Sequence, residues 1–143
     1  MQLSDREWLA QADAAAQGDM LRWLNADAAE RIAQDWTFLA RPGQRAPAGD
    51  WRIWLMMAGR GFGKTRAGAE WVRGIAEADP AARIALVGAT LGEARAVMVE
   101  GESGLLAIAP HWARPAYAPA LRRLSWPNGA VAMLFGAADP EGL

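Results

Sequence analysis

The feature that most constrains this chain is a glycine-rich turn set between an apolar run and an amphipathic helix. Ala58-Gly59-Arg60-Gly61-Phe62-Gly63-Lys64-Thr65 follows the short apolar segment Trp51–Met57 and leads into a stretch of helical periodicity that ends near Ala78. Glycine reaches positive φ at little cost and lets backbone amides come close to a ligand. A helix starting at such a turn aims its unpaired N-terminal amides, and the positive end of its dipole, at the same point. The combination is an anion cradle, and strand–turn–helix is the setting in which a phosphate loop is expected. The pattern has the phosphate-loop form, with alanine at the usual first glycine.

Each position suits that chemistry. Gly59, Gly61 and Gly63 allow the loop amides to wrap phosphate oxygens. Lys64, the only lysine in the chain, brings a point charge to the β- and γ-phosphates, and Thr65 offers a hydroxyl to Mg²⁺. The candidate nucleotide-binding set is Ala58, Gly59, Arg60, Gly61, Phe62, Gly63, Lys64, Thr65 and Arg66, with Lys64 and Arg60 as catalytic candidates and Thr65 as the metal ligand. Arg60 has two readings. It is a second cation that reaches the γ-phosphate, an arginine finger supplied in cis, or a loop arginine paired with a nearby carboxylate. The alternative for the whole segment is an incidental glycine-rich turn, against which the strand–turn–helix setting argues.

The rest of the chain reads as α/β. Ser4 with Glu7 is a capping box, and residues up to 40 read as helix in three segments, broken at Gly18-Asp19 and restarted by Asp27 and Glu30. The third runs from Asp27 to about Leu39. After a proline- and glycine-rich loop, Arg52–Met57 is expected as a buried strand. The helix Lys64–Ala78 carries Ala67, Trp71, Ile75 and Ala78 on its apolar face, and Arg83–Gly88 is expected as a second buried strand. Thr90 with Glu93 caps a helix to about Val99, and a short helical piece fits Leu105–Ala109. Leu121–Trp126 and Ala130–Phe135 flank Pro127-Asn128-Gly129, a hairpin signal. The expected domains are a helical segment over residues 1–40 and a nucleotide-binding part over 41–143.

Composition narrows the function classes. Fifteen basic against sixteen acidic residues give a net charge of −1, which excludes binding to nucleic acid by bulk charge alone. No cysteine and a single histidine, His111, exclude thiolate zinc sites, cysteine nucleophiles and histidine-rich metal centres. No apolar run reaches the length of a membrane span, and no secretory leader is expected. His111 reads as a loop residue, Glu100 and Glu102 as loop acids with a cleft lining as the alternative, and Arg114, Arg122 and Arg123 as surface arginines with contact to DNA phosphates as the alternative. Trp54 and Trp71 are expected in the core beside the loop.

The segment from Trp54 through the loop to Trp71 resembles the ATPase core of phage terminase large subunits, closest to the prophage and gene-transfer-agent branch. Leu39–Gln44 and Pro47–Trp51 upstream, and Ala89–Arg95 and Val97–Gly104 downstream, are also similar. The resemblance implies a RecA-like (ASCE) P-loop NTPase core, truncated, with N-terminal helices and an inserted β-hairpin. It implies ATP and Mg²⁺ as cofactors, Lys64 and Thr65 as phosphate and magnesium residues, and Arg60 as the loop arginine of hydrolysis. Gln44 corresponds to a glutamine that helps hold adenine, its bland alternative being an exposed turn residue. Double-stranded DNA, a portal protein and a small terminase subunit are the implied partners, in a motor compatible with homo-oligomers and located in the bacterial host cytoplasm.

The family pattern continues to a Walker B aspartate, a catalytic glutamate, a coupling motif and a nuclease domain. The chain ends about where those positions would begin, so it is expected to be a fragment, with Asp139 read as a loop acid after the hairpin and the Walker B aspartate itself as the alternative. Two other readings stay open: a nucleotide-binding module or inactive prophage remnant without turnover, and another P-loop ATPase acting on DNA.

Overall fold

Asp35 divides the last N-terminal helical stretch in two. The computed structural model describes residues 26–138, so the expectations on Ser4, Glu7 and the helices before residue 26, and on Asp139, lie outside the described residues. Helix α1 spans Ala26–Ala33 and α2 spans Trp36–Leu39. One continuous helix from Asp27 to Leu39 was the expectation. Instead Asp35 takes extended backbone angles and its carboxylate accepts from the Thr37 amide at 2.9 Å and the Thr37 hydroxyl at 2.6 Å. Aspartate serves a helix start better than a helix interior, because its short side chain satisfies the free amides of the first turn. The chain divides into two compact units between Gly43 and Gln44.

In the second unit α3 spans Lys64–Ala78, the limits read from the sequence. Strand β1 is Arg83–Gly88. Thr90 then caps α4, Leu91–Glu93, by accepting from the Glu93 amide at 3.1 Å, and the helix continues in π-helical form over Ala94–Val99. Helix α5 is Leu105–Ile108, followed by β2 at Ala116–Ala118, β3 at Arg123–Ser125 and β4 at Val131–Gly136. The four strands form one mixed sheet in the order β1-β4-β3-β2. β1 and β4 are parallel, while β4, β3 and β2 are antiparallel neighbours. The expected hairpin is therefore present as β3–β4, with β2 as an unexpected third strand on its outer side.

The hairpin turn works differently at its two central residues. Gly129 takes the positive φ of 108°. Asn128 instead contributes its side chain, donating from Nδ2 to Ala76 O at 2.7 Å and accepting from the Ala130 amide at 3.1 Å. The turn is thereby tied to the C-terminal end of α3, where helix carbonyls lack partners.

The core lies between α3 and one face of the sheet. Ala69, Val72 and Ala76 of α3 join Leu86 of β1, Leu124 of β3, Ala132 and Leu134 of β4, and Val99, Leu105 and Ile108. Two expectations are corrected here. The buried stripe of α3 runs through Ala67, Ala69, Val72 and Ala76, with Ile75 half-buried against the core; of the expected face Ala67 and Ile75 hold, while Trp71, 39% exposed, and Ala78 lie outside it. β1 is buried on one side only, with Val87 facing out, because α3 covers a single face.

The largest correction concerns Arg52–Met57. This segment is not a strand, and Ile53, Leu55 and Met57 stand 86%, 74% and 84% exposed. A short apolar run marks a segment suited to a buried strand, but such a strand also needs neighbours to complete its ladder. Among the described residues no strand pairs with it.

At the C-terminal end of the parallel pair, Gly88 of β1 and Gly136 of β4 stand opposite each other under the start of α4. A Cβ on Gly136 would lie 2.7 Å from Leu91 N and 3.2 Å from the Thr90 carbonyl carbon. Both are backbone atoms and cannot rotate away. Gly136→Ala is expected to destabilise the fold by about 1–3 kcal/mol, the usual cost of overpacking, read as a lower denaturant midpoint. An unchanged midpoint would show that α4 does not rest on the strand ends.

Candidate functional site

The glycine-rich loop is built by its two arms. Gly63 precedes α3 with φ 89° and ψ 29°, a left-handed conformation that glycine adopts readily. Gly61 also has positive φ, at 77°, whereas Gly59 does not. These angles turn the chain sharply into the helix. No side chain caps the start of α3, and its first turn contains no acidic residue. The amides at the start of a helix have no intrahelical acceptors, and here no side-chain cap meets them.

Lys64 closes the loop. Its Nζ donates to Ala58 O at 2.7 Å and to Gly59 O at 2.8 Å. The ammonium thus sits against the first two residues of the loop while belonging to the first residue of the helix. Thr65 is exposed beside it. Arg60 is exposed in the turn and, among the described residues, no carboxylate pairs with it.

Gln44 is brought to the loop from 18 residues away. Its Nε2 donates to Phe62 O at 2.6 Å, and the residue is buried, not an exposed turn residue. Arg66 points elsewhere: its guanidinium holds Glu70 Oε1 at 2.7–2.8 Å, so only its backbone stands at the helix start. The structure thus gathers residues 58–65 and Gln44, and directs the Arg66 side chain along the helix.

Three features were not read, or only partly read, from the sequence. Trp54 and Trp71 do pack beside the loop, but at the surface and with Trp51 as a third member: the three rings meet with centroids 6.1–6.2 Å apart, bracing the segment before the loop against the helix after it. Trp51 Nε1 also donates to Pro47 O at 2.8 Å. Second, Glu70 is a fully buried carboxylate held between Arg66 and Arg73 Nη2, the latter at 3.2 Å. The arginine–glutamate spacings of three and four residues along α3 carried that signal. Arg73 reaches on to Ile108 O at 3.2 Å and to Glu77 at 3.5 Å. Burial pushes the Glu77 carboxyl above its usual range; Arg73 opposes the shift and Glu70 adds to it. Third, an apolar hollow of about 320 Å³ lies behind Lys64 and Thr65, lined by Val72, Leu86, Met98 and Leu105 among others.

The other polar residues take structural or surface roles. Glu100 forms a two-pronged pair with Arg95 at 2.9 and 3.0 Å, which raises the arginine pKa through that hydrogen bond and charge. His111 lies exposed with its ring edge-on to Trp112. Arg114, Arg122 and Arg123 are exposed. Among the described residues no group of three or more His, Cys, Asp or Glu side chains is placed to hold a metal ion, and no helix is long and apolar enough to cross a membrane.

Comparison with known proteins adds the family. Residues 55–142 match the family described as terminase large subunit, T4likevirus-type, N-terminal. No curated protein and no solved structure shows a significant match. The matched span contains the loop, α3 and the whole sheet, and leaves Gln44, Trp51 and Trp54 just outside it. The chain belongs to the terminase large subunit family, in its N-terminal part.

Proposed function

We propose that residues 58–66 bind the triphosphate of MgATP, and that the chain supplies the nucleotide-binding part of a DNA-packaging motor. The observation that carries this reading is the position of Lys64. Its ammonium rests on two neutral carbonyls at the mouth of a helix whose start carries no cap and no acid. A phosphate oxygen is a stronger, charged acceptor for the same donor, and the helix start favours negative charge.

The residues fit the cofactor. Backbone amides around Gly59, Arg60, Gly61, Phe62 and Gly63 and at the helix start, including Thr65 and Arg66, would line the phosphates, with Ala58 closing the loop through its carbonyl. Thr65 would give Mg²⁺ its protein ligand. Magnesium keeps several waters and takes further ligands from substrate phosphates, so it needs no all-protein cage. When bound, MgATP supplies the γ-phosphoryl group whose transfer to water drives a motor. Lys64 holds negative charge on the β- and γ-phosphates, and Arg60, exposed in the turn, offers the second cation.

We read the parallel β1–β4 pair covered by α3, with its attached hairpin, as part of a RecA-like P-loop core spanning residues 41–143. Membership in the terminase family supports double-stranded DNA, a portal protein and a small terminase subunit as partners, a motor that can be homo-oligomeric, and work in the cytoplasm of a bacterial host.

Calorimetric titration with MgATP tests the reading. Saturable binding is expected, and Thr65→Val is expected to weaken it about tenfold with Mg²⁺ present and little in EDTA, the scale of one lost hydrogen-bonded ligand. A folded chain that binds no nucleotide overturns the proposal. Binding without phosphate release identifies a nucleotide-binding module in place of an ATPase.

A further inference from the structure

We infer that Gln44 is a positioning residue of the phosphate loop, fixing its last turn for phosphates whatever base they carry. This rests on the proposed nucleotide site and deepens it. Two observations place Gln44 against the same peptide. Its Nε2 donates to Phe62 O at 2.6 Å, and that nitrogen lies 2.6 Å from where a Cβ on Gly63 would stand. The side-chain amide therefore occupies the space left open by the glycine at the loop's final turn.

The consequence is geometric. The Phe62–Gly63 peptide is the last hinge before the helix amides, and Gly63 holds φ 89° there. Glycine alone resists rotation about φ only weakly. A buried amide bonded to the preceding carbonyl restrains that peptide, and its own burial makes the bond costly to break. Ordering the loop before a ligand arrives lowers the entropy that binding must overcome. The contact falls on the main chain of the loop, so the effect should follow the phosphates and not the base.

The test compares MgATP, MgGTP and tripolyphosphate on the unmodified chain, on Gln44→Ala, which removes the donor, and on Gln44→Glu, which replaces it with an acceptor facing Phe62 O. Both variants are expected to weaken all three ligands by one common factor, about tenfold for one buried hydrogen bond. Hydrogen exchange in the absence of ligand is expected to speed up at the amides of residues 62–65 by more than any fall in the global denaturation midpoint accounts for. Loss of discrimination between MgATP and MgGTP, with tripolyphosphate binding intact, overturns the inference and makes Gln44 a reader of the base. Unchanged exchange and unchanged affinities overturn it as well. If the unmodified chain binds none of the three ligands, the nucleotide reading fails and takes this inference with it, whereas failure at Gln44 alone leaves that reading intact.

Discussion

Lys64→Ala is expected to lower MgATP affinity about 100-fold while leaving the fold intact. Hydrogen bonds from a charged donor are worth about 1.5–3 kcal/mol, and this residue brings the charge as well as the donors. In the structure its Nζ spans the loop, bonding Ala58 O and Gly59 O. Removing it takes away both the cation and the closure of the loop on itself. Lys64→Arg should not restore binding, because a planar guanidinium does not fit where a compact ammonium bridges two adjacent carbonyls. Lys64 is exposed, so water takes over its two carbonyl acceptors when it is removed, and the stability cost is expected to stay at about 1 kcal/mol. Calorimetry together with a denaturation curve therefore separates the two effects. Affinity preserved in Lys64→Ala would remove the loop from the nucleotide reading, however well the rest of the chain agrees with its family.

The contrast between what local rules specify and what pairing specifies runs through the whole chain. Lys64–Ala78, Arg83–Gly88, the Thr90 cap and the turn at Gly129 were legible because their signals lie within a few residues. Arg52–Met57 was misread because a short apolar run describes one segment, while a strand is a relation between two. The face of α3 was read correctly at Ala67 and Ile75 and misread at Trp71 for a related reason. A large indole suggests a core position, but Trp71 packs on Trp51 and Trp54, and the smaller Ala69, Val72 and Ala76 face the sheet. Small residues let the helix approach the sheet closely, and the sequence alone does not say which side the sheet lies on.

The candidate site divides in the same way. Its glycines, Lys64 and Thr65 are contiguous and could be found from spacing. The Gln44 contact spans 18 residues, and Gln44 entered only through resemblance, with a different role attached. The buried Glu70 was open to discovery from the arginines at its helical neighbours, but periodicity was read there only for apolar residues.

Leu134→Ala is expected to be the most damaging single change to the fold, costing about 3–4 kcal/mol within the 2–5 kcal/mol range for buried leucine truncation. Leu134 is 1% exposed in β4, the strand flanked by β1 on one side and β3 on the other. It stands opposite Leu86 of β1, and its amide donates to Arg122 O at 2.8 Å. A cavity there opens between the parallel and antiparallel halves of the sheet, where the surrounding chain is held by ladders on both sides and can relax little. Domains of this kind are commonly stable by about 5–15 kcal/mol, so the loss is a large share of the total. Chemical denaturation should show a markedly lower midpoint, with Leu121→Ala as the exposed control changing little. Leu134 lines neither the loop nor the hollow behind Lys64. At a temperature where the variant is still folded, its MgATP affinity should therefore match that of the unmodified chain. A cost below about 1 kcal/mol would contradict β4 as an inner strand flanked on both sides. A large cost with nucleotide affinity unchanged would separate the scaffold from the site it carries.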